Sequence, residues 1–243
     1  MWAIRILTGP QAGKVIPVKD GTNVIGRAPH CEVKIHSSSI SKEHAKIDIL
    51  NGKGEKYRCE IIDDNKKAVV VKIIKKNKFI NQNPKLHLVI SPTKSHERLE
   101  WFVEKSIEIG VSEISFIKTD RTIRKKINID RIDKIAISAM KQSGQFFLPV
   151  INDLDSLKNV LSRISQKQRF IGHLDKERKK HIVDAYDKKN DCCIMIGPEG
   201  DFSKTEIDLA KNNNFKPISL GNNRLRTETA GIYAVSVIRT LNE

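Results

Sequence analysis

Ile194-Met-Ile-Gly-Pro-Glu-Gly-Asp-Phe-Ser203, followed by Ile218-Ser-Leu-Gly-Asn-Asn-Arg-Leu-Arg-Thr-Glu-Thr-Ala-Gly231, decides the fold of this chain. Each stretch passes from a short apolar strand through a glycine-containing turn toward a helix, the point at which α/β folds turn backbone N–H groups toward a ligand. Gly197 and Gly200 read as positions of positive φ and close backbone approach, with Pro198 fixing the turn between them. One such loop is weak evidence. Two of them, the second carrying Arg224, Arg226 and Glu228, predict one shared pocket. Ser203-Lys-Thr-Glu206 after the first loop is a capping box that opens a helix through Ala210.

Working backwards from the loops, strand and helix alternate from Lys85 onward. Leu86 to Ile90 reads as a strand, and Leu99, Phe102, Val103, Ser106 and Ile107 follow at helical spacing behind a possible N-cap at Ser95. Glu113 to Ile117 is the next strand. Ile132, Ile135, Ala136, Ala139, Met140 and Ser143 trace a second helical stripe, and Leu154, Leu157, Leu161 and Ile164 a third. Strands over Arg169 to Leu174, Cys192 to Gly197 and Pro217 to Leu220 complete the pattern. The terminal helix carries the stripe Ala230, Tyr233, Ala234, Val237, Ile238 and Leu241. This alternation predicts an α/β domain with a mostly parallel sheet covered on both faces. Residues 1–80 read instead as all-β, in short runs such as Ala3 to Leu7, Tyr57 to Ile61 and Ala68 to Ile74, with the polar run Lys75 to Pro84 as a connector and a linker at 81–84.

The net charge of +15 over 243 residues suits a protein that meets polyanions. Lys118, Arg121, Arg124, Lys125, Lys126, Arg131, Lys134 and Lys141 concentrate it in one segment, although a merely solvated face gives the same pattern. The four cysteines form no C-x-x-C pair, and the seven histidines are scattered, so no metal site is expected. No apolar run approaches a membrane span, and the expected location is the cytoplasm. Patterns for NAD and ATP are absent. Ser143 has no base beside it in sequence and reads as a turn or RNA contact, and Trp101 as core.

The two loops, together with Leu88-Val-Ile-Ser-Pro-Thr-Lys94, Glu100 to Glu113, Asp120-Arg-Thr122 and Ala139-Met-Lys-Gln-Ser-Gly144, resemble a known family in order and spacing. It is the SPOUT-class RsmE family, whose members methylate N3 of a uridine in bacterial 16S (small-subunit) ribosomal RNA. The resemblance runs from about Asn51 to the C-terminus. It implies a trefoil-knotted methyltransferase domain over 85–243, the remainder of a PUA-like barrel over 51–80, a homodimer that buries the terminal helix, and ribosomal RNA or the small ribosomal subunit as partner. It also implies S-adenosyl-L-methionine as cofactor, held by Leu174, Ile196, Gly197, Pro198, Glu199, Gly200, Ile218, Leu220, Gly221, Leu225, Arg226 and Thr227. Arg121, Arg124, Lys125 and Lys141 are the candidate RNA contacts.

Methylating N3 needs an aligned base and the loss of its proton. Arg226 is the candidate for stabilising charge on the uracil oxygens, and Glu199 or Glu228 for orienting that arginine or accepting the proton. Arg226, Thr227 and Glu228 have a plainer reading as a helix cap and dimer bridge.

Residues 1–50 depart from that family. Val24-Ile-Gly-Arg27, Val33-Lys-Ile35 and Ser39-Ile-Ser-Lys-Glu-His44 resemble the front half of a forkhead-associated (FHA) domain, a phosphothreonine-binding β-sandwich. The chain therefore reads as a hybrid. The alternative function is a phosphopeptide module in which Arg27, Ser41 and Lys42 clamp a phosphate, fused to a weak or inactive methyltransferase.

Overall fold

The computed structural model describes residues 2–6, 15–18, 25–26, 33–34, 46–63, 70–174 and 179–243. The chain divides into two units: one of residues 1–81 and 140–148, and one of residues 82–139 and 149–243.

In the first unit, β1 (Trp2–Ile6), β2 (Val15–Val18), β5 (Lys46–Leu50), β6 (Glu55–Asp63) and β7 (Val70–Lys78) form an antiparallel sheet in the order β2-β1-β5-β6-β7. The short β3 (Ile25–Gly26) and β4 (Val33–Lys34) pair parallel to each other. Strands from before and after Asn51 thus share one sheet, through the β5–β6 register that sets Leu50 opposite Lys56. Among the described residues Ile47, Leu50, Cys59 and Ile61 are buried in it, and Asp48 pairs with Lys56 at 2.7 Å and Arg58 at 3.2 Å. The strand β7 continues to Lys78, so the polar run after Ile74 is partly strand and not all connector. Lysine does not prevent strand formation where the side chains stay in water.

A second departure from the sequence reading is that residues 140–148 return to this unit. Phe146 stacks on Phe79 with ring centroids 3.7 Å apart, and Gly54 and Leu148 donate backbone N–H groups to Phe146 and Gly52 carbonyls at 3.0 and 2.8 Å. Gly54 has φ 86, and a Cβ there would lie 2.6 Å from the Phe147 ring, so this turn requires glycine.

The second unit holds β8 (Leu86–Ile90), α1 (His96–Ile109), β9 (Glu113–Lys118), α2 (Ile129–Gln142, whose last turn lies in the first unit), β10 (Val150–Ser156), α3 (Leu157–Arg163), β11 (Gln168–Gly172), β12 (Lys180–His181), α4 (Ile182–Ala185), β13 (Cys192–Ile196), α5 (Lys204–Asn212), β14 (Lys216–Ser219) and α6 (Thr227–Thr240). Its strands run parallel throughout, in the order β10-β9-β8-β13-β11-β14-β12. The central strands β8 and β13 are buried at every residue, which explains their unbroken apolar runs. On one face Val160, Leu161, Ile164, Phe202 and Phe215 pack with Met195 and Ile117. On the other, α1 and α6 come close because residue 231 is glycine: a Cβ there would stand 2.6 Å from the Phe102 ring.

Ser95 caps α1, and Ser203 with Glu206 forms the expected capping box. Leu154 is in β10 and not on the third helix, which starts at Leu157 behind the cap Ser156; the apolar spacing ran across a strand end. Trp101 is 46% exposed and is not core. The short β12 and α4 had no signal in their polar, Lys-rich surroundings.

Candidate active site

The strands β11, β13 and β14 are neighbours or next neighbours in the sheet and end on the same side, so the loops after Gly172, Ile196 and Ser219 converge. Between them lies a cavity of about 570 Å³, within the roughly 300–1,000 Å³ of small-molecule sites. Every residue expected from the resemblance to hold a cofactor lines it, except Gly200. Ile196, Ile218, Leu220 and Leu225 offer apolar wall, and the turns offer backbone donors and acceptors. His173, Lys179, Asp201, Asn222 and Asn223 also line it and were not anticipated. Asn222 and Asn223 sit inside the quoted second loop, whereas nothing in sequence ties His173 or Lys179 to the two loops.

The first loop is braced on all sides. Thr227 Oγ1 donates to the Gly197 carbonyl at 3.0 Å, and Glu199 Oε1 accepts the Lys94 N–H at 3.0 Å. Arg121 donates to the Gly200 carbonyl at 2.6 Å. Glu206 accepts the Ser203 and Asp120 N–H groups, both at 2.8 Å, and Ser203 Oγ donates to Asp120 at 2.7 Å. The expectation of positive φ at Gly197 and Gly200 is not met: the left-handed residue of this loop is Asp201, with φ 63. Space explains the glycines instead. A Cβ on Gly197 would be 3.0 Å from the Phe202 ring, and one on Gly200 3.2 Å from Arg121 Cδ, which is why Gly200 faces the arginine and not the cavity.

The second loop is more open. Gly221 has φ 116 and nothing within 4 Å of its Cβ position. Arg224 reaches across to the Glu199 carbonyl at 3.2 Å. Arg226 is the N-cap residue of α6, is exposed, and makes no side-chain capping bond, so the plain capping role leaves its guanidinium unused. Of the two carboxylates considered for catalysis, Glu199 lines the cavity, while Glu228 is buried at the start of α6 with Arg98 of α1 3.7 Å away.

The candidate RNA contacts separate. Arg121 and Lys125 are exposed, but Arg124 is half-buried and donates to the Thr93 carbonyl at 2.8 Å and to the Lys94 carbonyl. Lys141 is 3% exposed, and burial pushes its ammonium down to about 8, so it is no part of an open basic surface. Arg27, Ser41 and Lys42 lie outside the described residues. Among the described residues there is no cluster that could hold a metal ion and no helix long and apolar enough to cross a membrane.

A parallel sheet with a ligand cavity at its carboxyl edge, in a chain that also carries a separate small β unit, defines a two-domain α/β protein of the cofactor-binding type. A family model described as an RNA methyltransferase domain matches residues 81–239, a second described as an RNA methyltransferase PUA domain matches residues 41–74, and the chain belongs to this RNA methyltransferase family. Ribosomal RNA small subunit methyltransferase E of Mesomycoplasma hyopneumoniae is 31% identical over 75% of this chain and 80% of its own. Among solved structures, a probable rRNA-methyltransferase from Porphyromonas gingivalis superposes with TM-score 0.77 at 36% identity, covering 81% of this chain and 84% of that one. Ribosomal RNA small subunit methyltransferase E from Neisseria gonorrhoeae, bound to S-adenosyl methionine, gives TM-score 0.74 at 25% identity, with 84% and 85% covered. The PUA match begins at residue 41, so Ser41 and Lys42 fall inside it, and the forkhead-associated reading with its phosphopeptide site finds no support.

Proposed function

We propose that this protein transfers a methyl group from S-adenosyl-L-methionine to N3 of a uridine in small-subunit ribosomal RNA. The carrying observation is one cavity, lined by both glycine turns and the end of β11, that gathers all but Gly200 of the residues which the resemblance assigns to the cofactor. The residues fit such a group: apolar side chains at Ile196, Ile218, Leu220 and Leu225 suit an adenosyl moiety, and turn amides and carbonyls suit its polar atoms. When bound, the cofactor supplies an activated sulfonium methyl, so the protein's task is mainly alignment and charge control. Arg226 stabilises negative charge on the uracil oxygens as the N3 proton departs. Glu199, with one oxygen engaged by the Lys94 N–H, accepts that proton on the other. Glu228 is held against Arg98, away from the cavity lining, and acts as a tether of α6.

Arg121 and Lys125 face the RNA, Arg121 through the part of its guanidinium not used on Gly200. A knotted C-terminal segment and a homodimer covering α6 belong to the same reading, as does work in the cytoplasm, where ribosomal RNA is found.

Incubating the purified protein with the cofactor and under-methylated small ribosomal subunits, then digesting the RNA to nucleosides, is the test. Appearance of 3-methyluridine, lost in Arg226→Ala, supports the reading. Methyl groups on another position, or none, overturn it.

A further inference from the structure

Asp201 carries two constraints at once. Its backbone closes the turn that begins at Pro198, donating its N–H to the Pro198 carbonyl at 2.9 Å, and it does so with the left-handed φ of 63. Its carboxylate reaches another strand exit: Oδ2 accepts the backbone N–H of Leu174, just past β11, at 2.9 Å. Glycine adopts a left-handed backbone more easily than aspartate. An aspartate there makes sense when its side chain is used. Both Asp201 and Leu174 line the cavity, and the Leu174 side chain is 54% exposed.

In the ligand-free protein this bond is exposed to water, which competes for both partners, so it adds little to the stability of the fold. A ligand seated in the cavity removes that water and strengthens the bond. The bond therefore matters to the bound state more than to the free one. Resting on the reading of the cavity as the cofactor site, we propose that Asp201 is a positioning residue, fastening Leu174 over the bound cofactor and acting on its affinity through that residue.

The parent, Asp201→Asn and Asp201→Gly are titrated calorimetrically with S-adenosyl-L-methionine and with its demethylated product, and exchange of the Leu174 amide is followed by NMR in the ligand-saturated proteins. Glycine carries the backbone without strain but cannot hold Leu174. It is expected to weaken both ligands about 10-fold, to deprotect the Leu174 N–H, and to leave the melting temperature within about 2 °C. Asparagine tolerates the same φ and its amide oxygen accepts the same N–H, so it stays within about 3-fold of the parent for both ligands. A glycine variant that binds as the parent does overturns this inference alone. So does an asparagine variant as weak as glycine with Leu174 still protected, since the charge would then act directly on the ligand. A parent that binds neither ligand overturns the cofactor reading and this inference with it.

Discussion

The two sheets of this chain are built for different tasks. In the second unit all strands are parallel, and β8 and β13 are buried from end to end. In the first unit the sheet is antiparallel, and β7, its last strand among the described residues, leaves Val70, Ile73 and Ile74 about half exposed beside Lys72, Lys75, Lys76 and Lys78. A sheet closed on both faces fixes where its strands end, and so where the turns after Ile196 and Ser219 meet. That is the requirement of a site that must align two reacting atoms. A basic sheet edge does not fix atoms to that precision; it offers charge over a broad surface, which is what suits a polyanion.

The largest expected consequence of this contrast is in packing. Ile194→Ala, at a fully buried position of β13, should cost about 4 kcal/mol of stability, whereas Ile73→Ala on β7, 56% exposed, should cost under about 0.5 kcal/mol. Urea unfolding followed separately by probes in each unit would show it. Equal losses would mean that the two sheets are equally packed.

Next comes Lys141, a buried ammonium in the first unit. Its folded-state value of about 8 lies below the ordinary 10.5, so between those values the unfolded chain binds more protons and stability rises with pH. The rise should amount to about 3 kcal/mol and should vanish in Lys141→Met. A flat profile in the parent over pH 8–10 would contradict the burial assigned to this ammonium.

The smallest expected effect compares the two turns. Gly221→Ala forces φ 116 on a residue with a Cβ, though with empty space around it, and should cost about 1–2 kcal/mol of stability. Gly200→Ala meets only the flexible Arg121 side chain and should cost under about 1 kcal/mol. The reverse order would show that the first turn, not the second, depends on glycine's conformational freedom.

Much of the second unit was legible because parallel strands are short apolar runs and their helices carry caps and stripes, as at Ser95 and Ser203–Glu206. The cavity wall was legible because the two turns follow parallel strands that flank β11 on either side, so both open at the same edge of the sheet. What the sequence hid were relations that arise only from folding. Residues 140–148 rejoin the β unit through ring stacking and a few backbone bonds, which no periodicity records. The left-handed residue is Asp201 and not either neighbouring glycine, because glycines here answer to the Phe202 ring and Arg121. Leu154 was misplaced because a strand end and a helix start can share helical spacing by chance. The first fifty residues misled for a further reason: short β-runs with Gly-Arg and Ser-x-x-His spacing carry little information about which β-fold they join.

The central claim is that the cavity of the second unit holds S-adenosyl-L-methionine. Calorimetric titration of the intact protein tests it most directly. One site per chain with micromolar dissociation, weakened at least about 10-fold by Gly197→Val, whose side chain collides with the core residue Phe202 and so shifts a turn that lines the cavity, is the result expected. No heat of binding up to millimolar cofactor, in a protein whose unfolding remains cooperative, would contradict it.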